Sequence, residues 1–92
     1  MSNTIEVKLS RSYKLEGKDT DTISFRAPKV ADLIVVESVG RDGGQHAMTA
    51  LMMAQLSGAT QPEIAEFALA DYAACDRAMR PFMVIAERGG GD

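Results

Sequence analysis

The fold is decided by ten residues in which an alternating pattern changes to a helical one: Ser24-Phe25-Arg26-Ala27-Pro28-Lys29-Val30-Ala31-Asp32-Leu33. Up to Arg26, polar and apolar residues alternate, as they do in a strand with one buried face. Beyond Lys29, apolar residues recur at helical spacing. Pro28 favours extended geometry in the residue before it and has no N–H, so it is tolerated in the first turn of a helix and damaging later. The stretch therefore predicts a strand that turns directly into a helix.

The residues before this corner predict a β-hairpin or small antiparallel sheet over about residues 4–26. Thr4 to Leu9 alternate in hydropathy, and Tyr13 and Leu15 indicate a short further extended piece. Turn residues at 16–19 precede a second strand from about Thr20 to Arg26. Because two or three strands are marginally stable alone, their apolar face must pack on helices. That face carries Ile5, Val7, Leu9, Ile23 and Phe25.

The first helix is predicted over about residues 28–38, with Gly40 as its stop. Its sequence is apolar most of the way round. The stripe that is predicted to face the core consists of Val30, Leu33, Ile34 and Glu37. Val35 and Val36 lie off this stripe, which leaves two interpretations open: another part of the core, or a partner protein.

A second helix is predicted from about Gln45 to Ser57, with Gly58 as its stop. Its inward stripe consists of Met48, Leu51, Met52 and Leu56, and Met53 lies off it. The spacing of Thr60 and Glu63 is that of a capping box, which predicts a short third helix beginning near Gln61.

The last helix has the cleanest apolar stripe of the chain. It follows Asp71 and consists of Tyr72, Cys75, Met79, Phe82, Met83 and Ala86. Pro81 lies inside it, which predicts a kink near residues 77–80 or two helices that meet there. Order is expected to end at Arg88, with a disordered tail over residues 89–92. Together these elements predict a single α+β domain over residues 1–92: a hairpin, then three to four helices over about 28–88.

The composition argues against several classes of partner. The net charge of -3 comes from ten basic and thirteen acidic residues spread along the chain, without the basic patch that nucleic-acid binding requires. No apolar run approaches the roughly 20 residues that span a bilayer, and the first residues do not resemble a signal peptide. Cys75 and His46 are each the only residue of their type, so a Cys/His zinc site and an internal disulfide are excluded, and a reducing compartment is expected.

No catalytic or cofactor-binding arrangement is predicted, and the protein is expected not to be an enzyme. His46 has no orienting partner in the sequence and is interpreted as a surface histidine near a helix start. Cys75 lies on an apolar stripe, where a buried structural thiol is the ordinary explanation. The loop at residues 40–44 has glycines but lacks the ending of a phosphate-binding loop.

Methionine is unusually frequent, with six in 92 residues. Flexible thioethers fill irregular cores, and they also line surfaces that accept differently shaped partners. Core packing is favoured for the methionines on predicted stripes, which are Met48, Met52, Met79 and Met83. For apolar residues off the main stripes both interpretations stay open, and the candidate partner-binding residues are Val35, Val36, Met53, Val84 and Ile85. The apolar surface expected from Met53, Val84 and Ile85 predicts self-association.

Three landmarks resemble the phage tail assembly chaperone family of Mu-like prophages and related contractile-tailed phages. The opening stretch resembles that family's strand-Arg-x-Pro-x-x-x-Asp-Leu passage, with Arg26, Pro28 and Asp32 in place. The run Leu56-Ser57-Gly58-Ala59-Thr60 resembles its leucine-x-glycine-x-threonine/serine stop. Asp71 and Tyr72 resemble the opening of its last helix. The resemblance covers about residues 4–83 in order.

The resemblance implies a non-enzymatic protein in the cytoplasm of the bacterial host. Such a protein binds the tail tape measure protein, keeps it soluble while the tail tube assembles, and is absent from the mature virion. In many such phages a programmed frameshift makes an extended second product, with which Gly89-Gly90-Gly91 is compatible. Arg26, Pro28 and Asp32 are expected to set the angle between sheet and helices. The alternatives are a structural tail or baseplate component retained in the virion and, least favoured, a small enzyme or ligand-binding domain.

Overall fold

A computed structural model describes residues 4–91, and their side chains outside 40–41 and 83–91. It consists of an antiparallel hairpin followed by four helices, which confirms the predicted α+β class. The strands are β1 (Thr4–Leu15) and β2 (Lys18–Arg26). The helices are α1 (Val30–Gly40), α2 (Gln45–Ser57), α3 (Gln61–Ala65) and α4 (Leu69–Gly91), with a single 3-10 turn at Arg41–Gly43 between α1 and α2.

The hairpin closes through a two-residue turn. Glu16 and Gly17 both have positive φ, at 54° and 79°, as the mirror-image turns that match strand twist require. The pairing register shifts between Lys8 and Tyr13, where β1 has four intervening residues and β2 has one. β1 is therefore one long strand with a bulge, where the sequence predicts two separate extended pieces. The bulge leaves Ser10 free to bond outside the ladder.

One apolar core joins the hairpin to the helices. The predicted strand face is confirmed, since four of its residues are buried and Ile5 packs against them. Four side chains from four elements are fully buried: Phe25, Met53, Ile64 and Cys75. Burying one such side chain stabilises the fold by about 1.5–3 kcal/mol, so the hairpin depends on the helices for its stability.

The predicted orientation of α1 is wrong. The buried residues of α1 are Asp32 and Val36, and the stripe predicted to face the core is exposed. Because α1 is apolar most of the way round, hydrophobic periodicity could not select a face. The hydrogen bonds of Asp32 select it, as described below.

The placement predicted for Met53 in α2 also differs from the structure. Met53 is 0% exposed, together with buried Met52, Ala54 and Leu56. A wide arc of α2 is covered because this helix contacts α1, α3 and β2. A single predicted stripe underestimates the burial of a helix with three neighbours.

The signals at helix ends are confirmed. Gly58 ends α2 in the left-handed conformation, with φ 87°. Thr60 caps α3: its hydroxyl accepts from the backbone N–H of Glu63, and the Glu63 carboxylate accepts from the backbone N–H of Thr60. The capping box accounts for a helix of five residues that would not form in isolation.

At Pro81, one of the two alternatives predicted for the last helix is wrong. The helix runs from Leu69 to Gly91 without interruption, with Pro81 inside it. Two helices meeting near residues 77–80 are therefore not found, and helical backbone continues past Arg88. Within residues 4–91, no helix is long and apolar enough to cross a membrane.

Candidate partner-binding surface

Asp32 joins the end of the hairpin to the start of α1. The guanidinium of Arg26, the last residue of β2, donates two hydrogen bonds of 2.7 Å to its two carboxylate oxygens. The backbone N–H of Lys29 donates a third, also of 2.7 Å, which satisfies one of the unpaired donors at the helix N-terminus. The Gln55 side-chain amide of α2 donates a fourth at 3.1 Å. One carboxylate thus holds β2, α1 and α2 together.

The Asp32 carboxylate is 3% exposed, whereas the Arg26 side chain is 39% exposed. The Arg26 hydrogen bonds hold the pKa of Asp32 well below its usual value, and those from Lys29 and Gln55 act in the same direction. Burial opposes them. Because the buried Asp32 carboxylate accepts four hydrogen bonds, it stays ionised and its position is fixed.

Asp71 plays the corresponding part at the start of α4. Ser10, in the bulge of β1, donates from its backbone N–H at 2.9 Å and from its hydroxyl at 2.7 Å. The Tyr13 hydroxyl donates at 2.6 Å and accepts from the backbone N–H of Ala68 at 3.0 Å. The Tyr13 and Ser10 hydrogen bonds lower the pKa of Asp71. The bulge of β1 is therefore attached to the N-terminus of α4.

Asp32 also determines which side of α1 faces solvent. With about 100° of rotation per residue, anchoring Asp32 inward brings Val36, four residues later, to the same side. Ile34 then points away from the core and is 62% exposed. The other exposed apolar residues on this side of the helix, which together with Ile34 form the α1 face, are Val30 (72%), Leu33 (39%) and Val35 (37%). Val39 is also exposed (69%), but seven residues after Asp32 it lies on the Asp32 side of the helix.

The candidate partner-binding residues are not brought together. Val35 lies on the α1 face, and Val36 lies in the core between α1 and α2 at 5% exposure. Met53 is fully buried and offers no surface to a partner in this fold, whereas Val36 borders a groove that is described below. The side chains of Val84 and Ile85 lie outside the described residues.

Two apolar grooves lie on other sides of α2. The methionine groove, of about 470 Å³, runs between α1, α2 and α4 and is lined by Val36, Met48, Met52 and Met79, with polar residues at its edge. The α3 groove, of about 490 Å³, lies between α2, α3 and the start of α4. Its apolar lining consists of Ala47, Ala50, Pro62, Ile64, Ala65, Phe67 and Leu69. Periodicity did not identify the α3 groove, because α3 has only five residues and shows no repeat.

Other predicted landmarks have structural partners. His46 Nδ1 lies 2.9 Å from the Tyr72 hydroxyl, where both side chains line the α3 groove. Pro28 lies in the three-residue connection between β2 and α1. Gln55 and Ser10, which complete the two carboxylate clusters, were not identified from the sequence, since nothing in a local pattern relates them to an aspartate 23 or 61 residues away.

The thiol of Cys75 lies in the core, away from solvent. Cys75 is 0% exposed, and burial, followed by the nearby Asp71 charge, raises the pKa of its thiol to about 12. The thiol is therefore protonated at neutral pH and is not a nucleophile, as the sequence predicts. Across the described part of the chain, no group of histidine, cysteine and carboxylate side chains could hold a metal ion.

Comparison with known proteins gives one relationship. No curated protein and no solved structure is significantly similar to this chain. A family model described as "Phage tail assembly chaperone proteins, E, or 41 or 14" matches residues 6–84. The match includes most of β1, all of β2, the Asp32 and Asp71 clusters and most of the helical part. The chain therefore belongs to the phage tail assembly chaperone family.

Proposed function

We propose that this protein binds the tail tape measure protein and keeps it soluble during tail assembly, without catalysing a reaction. Membership of the family supports a role in tail assembly. The exposed α1 face supports binding of an apolar partner. A tape measure protein is long and largely helical, so its apolar helix faces need cover until the tail tube encloses them.

The single observation that carries this proposal is the composition of the α1 face. Val30 and Ile34 are each more than 60% exposed, and Leu33 and Val35 are each more than 35% exposed, on one helix of 11 residues. Single exposed apolar residues are common on protein surfaces, but several on one helix mark an interaction site. An amphipathic helix of the partner can pack against such a face with residues at i, i+3, i+4 and i+7.

The methionine groove supports the same proposal. Met48, Met52 and Met79 line it beside Val36 of α1. Because thioether side chains adapt to different shapes, such a groove can accept several segments of a long partner in turn. A chaperone for an extended helical chain requires this tolerance.

The proposal includes where the protein acts. It acts in the cytoplasm of the bacterial host and is absent from the finished virion. Self-association through exposed apolar surface, and an extended form made by frameshifting near Gly89-Gly90-Gly91, are part of the same proposal.

Co-expression tests the proposed function. The tape measure protein produced together with this protein should be soluble and should co-purify with it, whereas the tape measure protein alone should be insoluble. If the two proteins do not co-purify in any buffer, the proposal is wrong. Mass spectrometry of purified virions separates a chaperone, which should be missing, from a structural tail component, which should be present.

A further inference from the structure

Exposed charges of opposite sign lie near the two ends of the α1 face. Lys29, immediately before α1, is exposed, and so are Glu37 in its last turn and Asp42 just after it. Glu37 is three residues after Ile34, which places it on the same side of the helix. Residues 37–42 have a net charge of -1 from two carboxylates and one arginine. Among the side chains that the structure describes, none of the three exposed charges has an ion-pair partner.

These charges are opposite to those that the dipole of α1 favours. A helix is stabilised by negative groups at its N-terminus and by positive groups at its C-terminus. Lys29 and Glu37 have the reverse arrangement, and the last turn of α1 contains no basic residue. The acidic residue of the first turn, Asp32, is already paired with Arg26. The exposed charges of α1 are therefore complementary to a second helix that runs in the opposite direction.

A second copy of α1 has this complementary arrangement when the two helices pack antiparallel. Lys29 and Glu37 each lie four residues from Leu33. A two-fold axis beside Leu33 therefore brings Lys29 of each copy level with Glu37 of the other. The same axis places Val30 and Ile34 of the two copies against one another, which covers the apolar residues that are most exposed on α1. The two helix dipoles are then antiparallel, and each negative helix end lies beside a lysine.

We infer that the α1 face pairs antiparallel with the α1 face of a second copy, and that this contact and the tape measure protein exclude one another. The exclusion, but not the pairing, rests on the proposed function. A face of one 11-residue helix is about 16 Å long and about 10 Å wide, which is well short of the roughly 800 Å² per partner that a stable interface buries. The pair is therefore weak and reversible. It covers the α1 face until a tape measure protein displaces the second copy.

Reversing charges tests the pairing on the purified protein alone. Sedimentation velocity over a range of concentrations should show a monomer–dimer equilibrium that added salt weakens. Glu37→Lys should weaken the dimer about tenfold, because each dimer exchanges two attractions for two repulsions. The double variant Lys29→Glu, Glu37→Lys should recover most of the loss, since the charges again match. Glu66→Lys is the control: it makes the same charge change at an exposed site outside α1 and should leave the dimer unchanged.

Loss of α1 does not account for the effect expected of Glu37→Lys, because lysine in the last turn is favoured by the helix dipole. A strictly monomeric protein at every concentration would overturn the inference. So would a dimer that Glu37→Lys leaves unchanged, or one that the double variant does not restore.

A disulfide cross-link tests the exclusion. Leu33→Cys lies beside the two-fold axis and should give a linked dimer when the protein alone is oxidised. Bound tape measure protein should reduce the linked fraction at least about fivefold. An undiminished cross-link within a tape measure complex would overturn the exclusion. If no complex forms, the proposed function fails, whereas the charge reversals still decide whether α1 pairs with α1.

Discussion

Asp32 and Asp71 are the two residues on which the arrangement of the helices depends. Each is buried and ionised; Asp32 accepts hydrogen bonds from β2 and α2, and Asp71 accepts them from two residues of β1. Leaving a buried polar group without its partner costs more free energy than the hydrogen bond to that partner contributed. Conservative substitutions at these clusters should therefore change the free energy of unfolding measurably. Both clusters lie where the hairpin meets a helix, and substitutions there test how the hairpin and helices are joined.

Asp32→Asn should lower the free energy of unfolding by about 2 kcal/mol at pH 7, because the charge that pairs with Arg26 is lost while the shape is kept. The pKa of Asp32 is lower in the folded than in the unfolded state. Its stabilisation is therefore present above the unfolded pKa of about 3.9 and is lost as the pH falls below it. Urea unfolding at several pH values should show the difference shrinking in acid.

The control for this change is Glu37→Gln, an exposed site on the same helix, which should have little effect at any pH. A loss of stability that is the same at pH 7 and pH 3 would contradict an ionised Asp32 in the folded protein.

Tyr13→Phe should lower the free energy of unfolding by about 2 kcal/mol. The change removes the hydroxyl that donates to Asp71 and accepts from the Ala68 N–H, and hydrogen bonds to charged groups contribute about 1.5–3 kcal/mol. Tyr72→Phe is the matched control, since the Tyr72 hydroxyl pairs with exposed His46 and its loss should cost under about 1 kcal/mol. Equal losses in thermal unfolding would argue against the Asp71 cluster as a junction.

Local sequence patterns predicted some features of the helices and strands correctly and others not. The face of the hairpin, the end of α2 at Gly58 and the cap of α3 by Thr60 were predicted because each depends on residues close in sequence. The buried face of α1 was not predicted, because apolar residues lie all round this helix. Hydrogen bonds to Asp32 from Arg26, in the preceding strand, and from Gln55, 23 residues away, determine which side is buried. Local pattern therefore predicts the elements, and long-range hydrogen bonds determine how one of them is rotated.

Pro81, inside α4, is expected to destabilise this helix. Pro81 cannot donate the hydrogen bond that a helix interior requires, and its side chain is exposed. Pro81→Ala should therefore raise the free energy of unfolding by about 1–3 kcal/mol and increase the helical circular dichroism signal. Arg80→Ala, which removes only an exposed ion pair with Asp76, should change stability by less than about 0.5 kcal/mol. An unchanged or lowered stability in Pro81→Ala would indicate that the helix does not continue through this residue.

The molecule combines a firmly attached framework with apolar surface that its own fold does not cover. Two carboxylate clusters join the hairpin to α1 and α4, and the α1 face lies outside the core. Membership of the tail assembly chaperone family was predicted from the order of three short landmarks and is shown by the family match. The proposed binding surface was only partly predicted: Val35 lies on it, but Met53 and Val36 are buried because α2 has neighbours on three sides.

The central claim is that the α1 face binds the tape measure protein. It is tested most directly by co-purification of the tape measure protein with Ile34→Glu, compared with Ala70→Glu. Both changes add the same charge at an exposed helical position, but only Ile34 belongs to the α1 face. With both variants folded by circular dichroism, we expect Ile34→Glu to reduce the amount co-purified about tenfold or more and Ala70→Glu to match the unmodified protein. Undiminished co-purification with Ile34→Glu would contradict the claim.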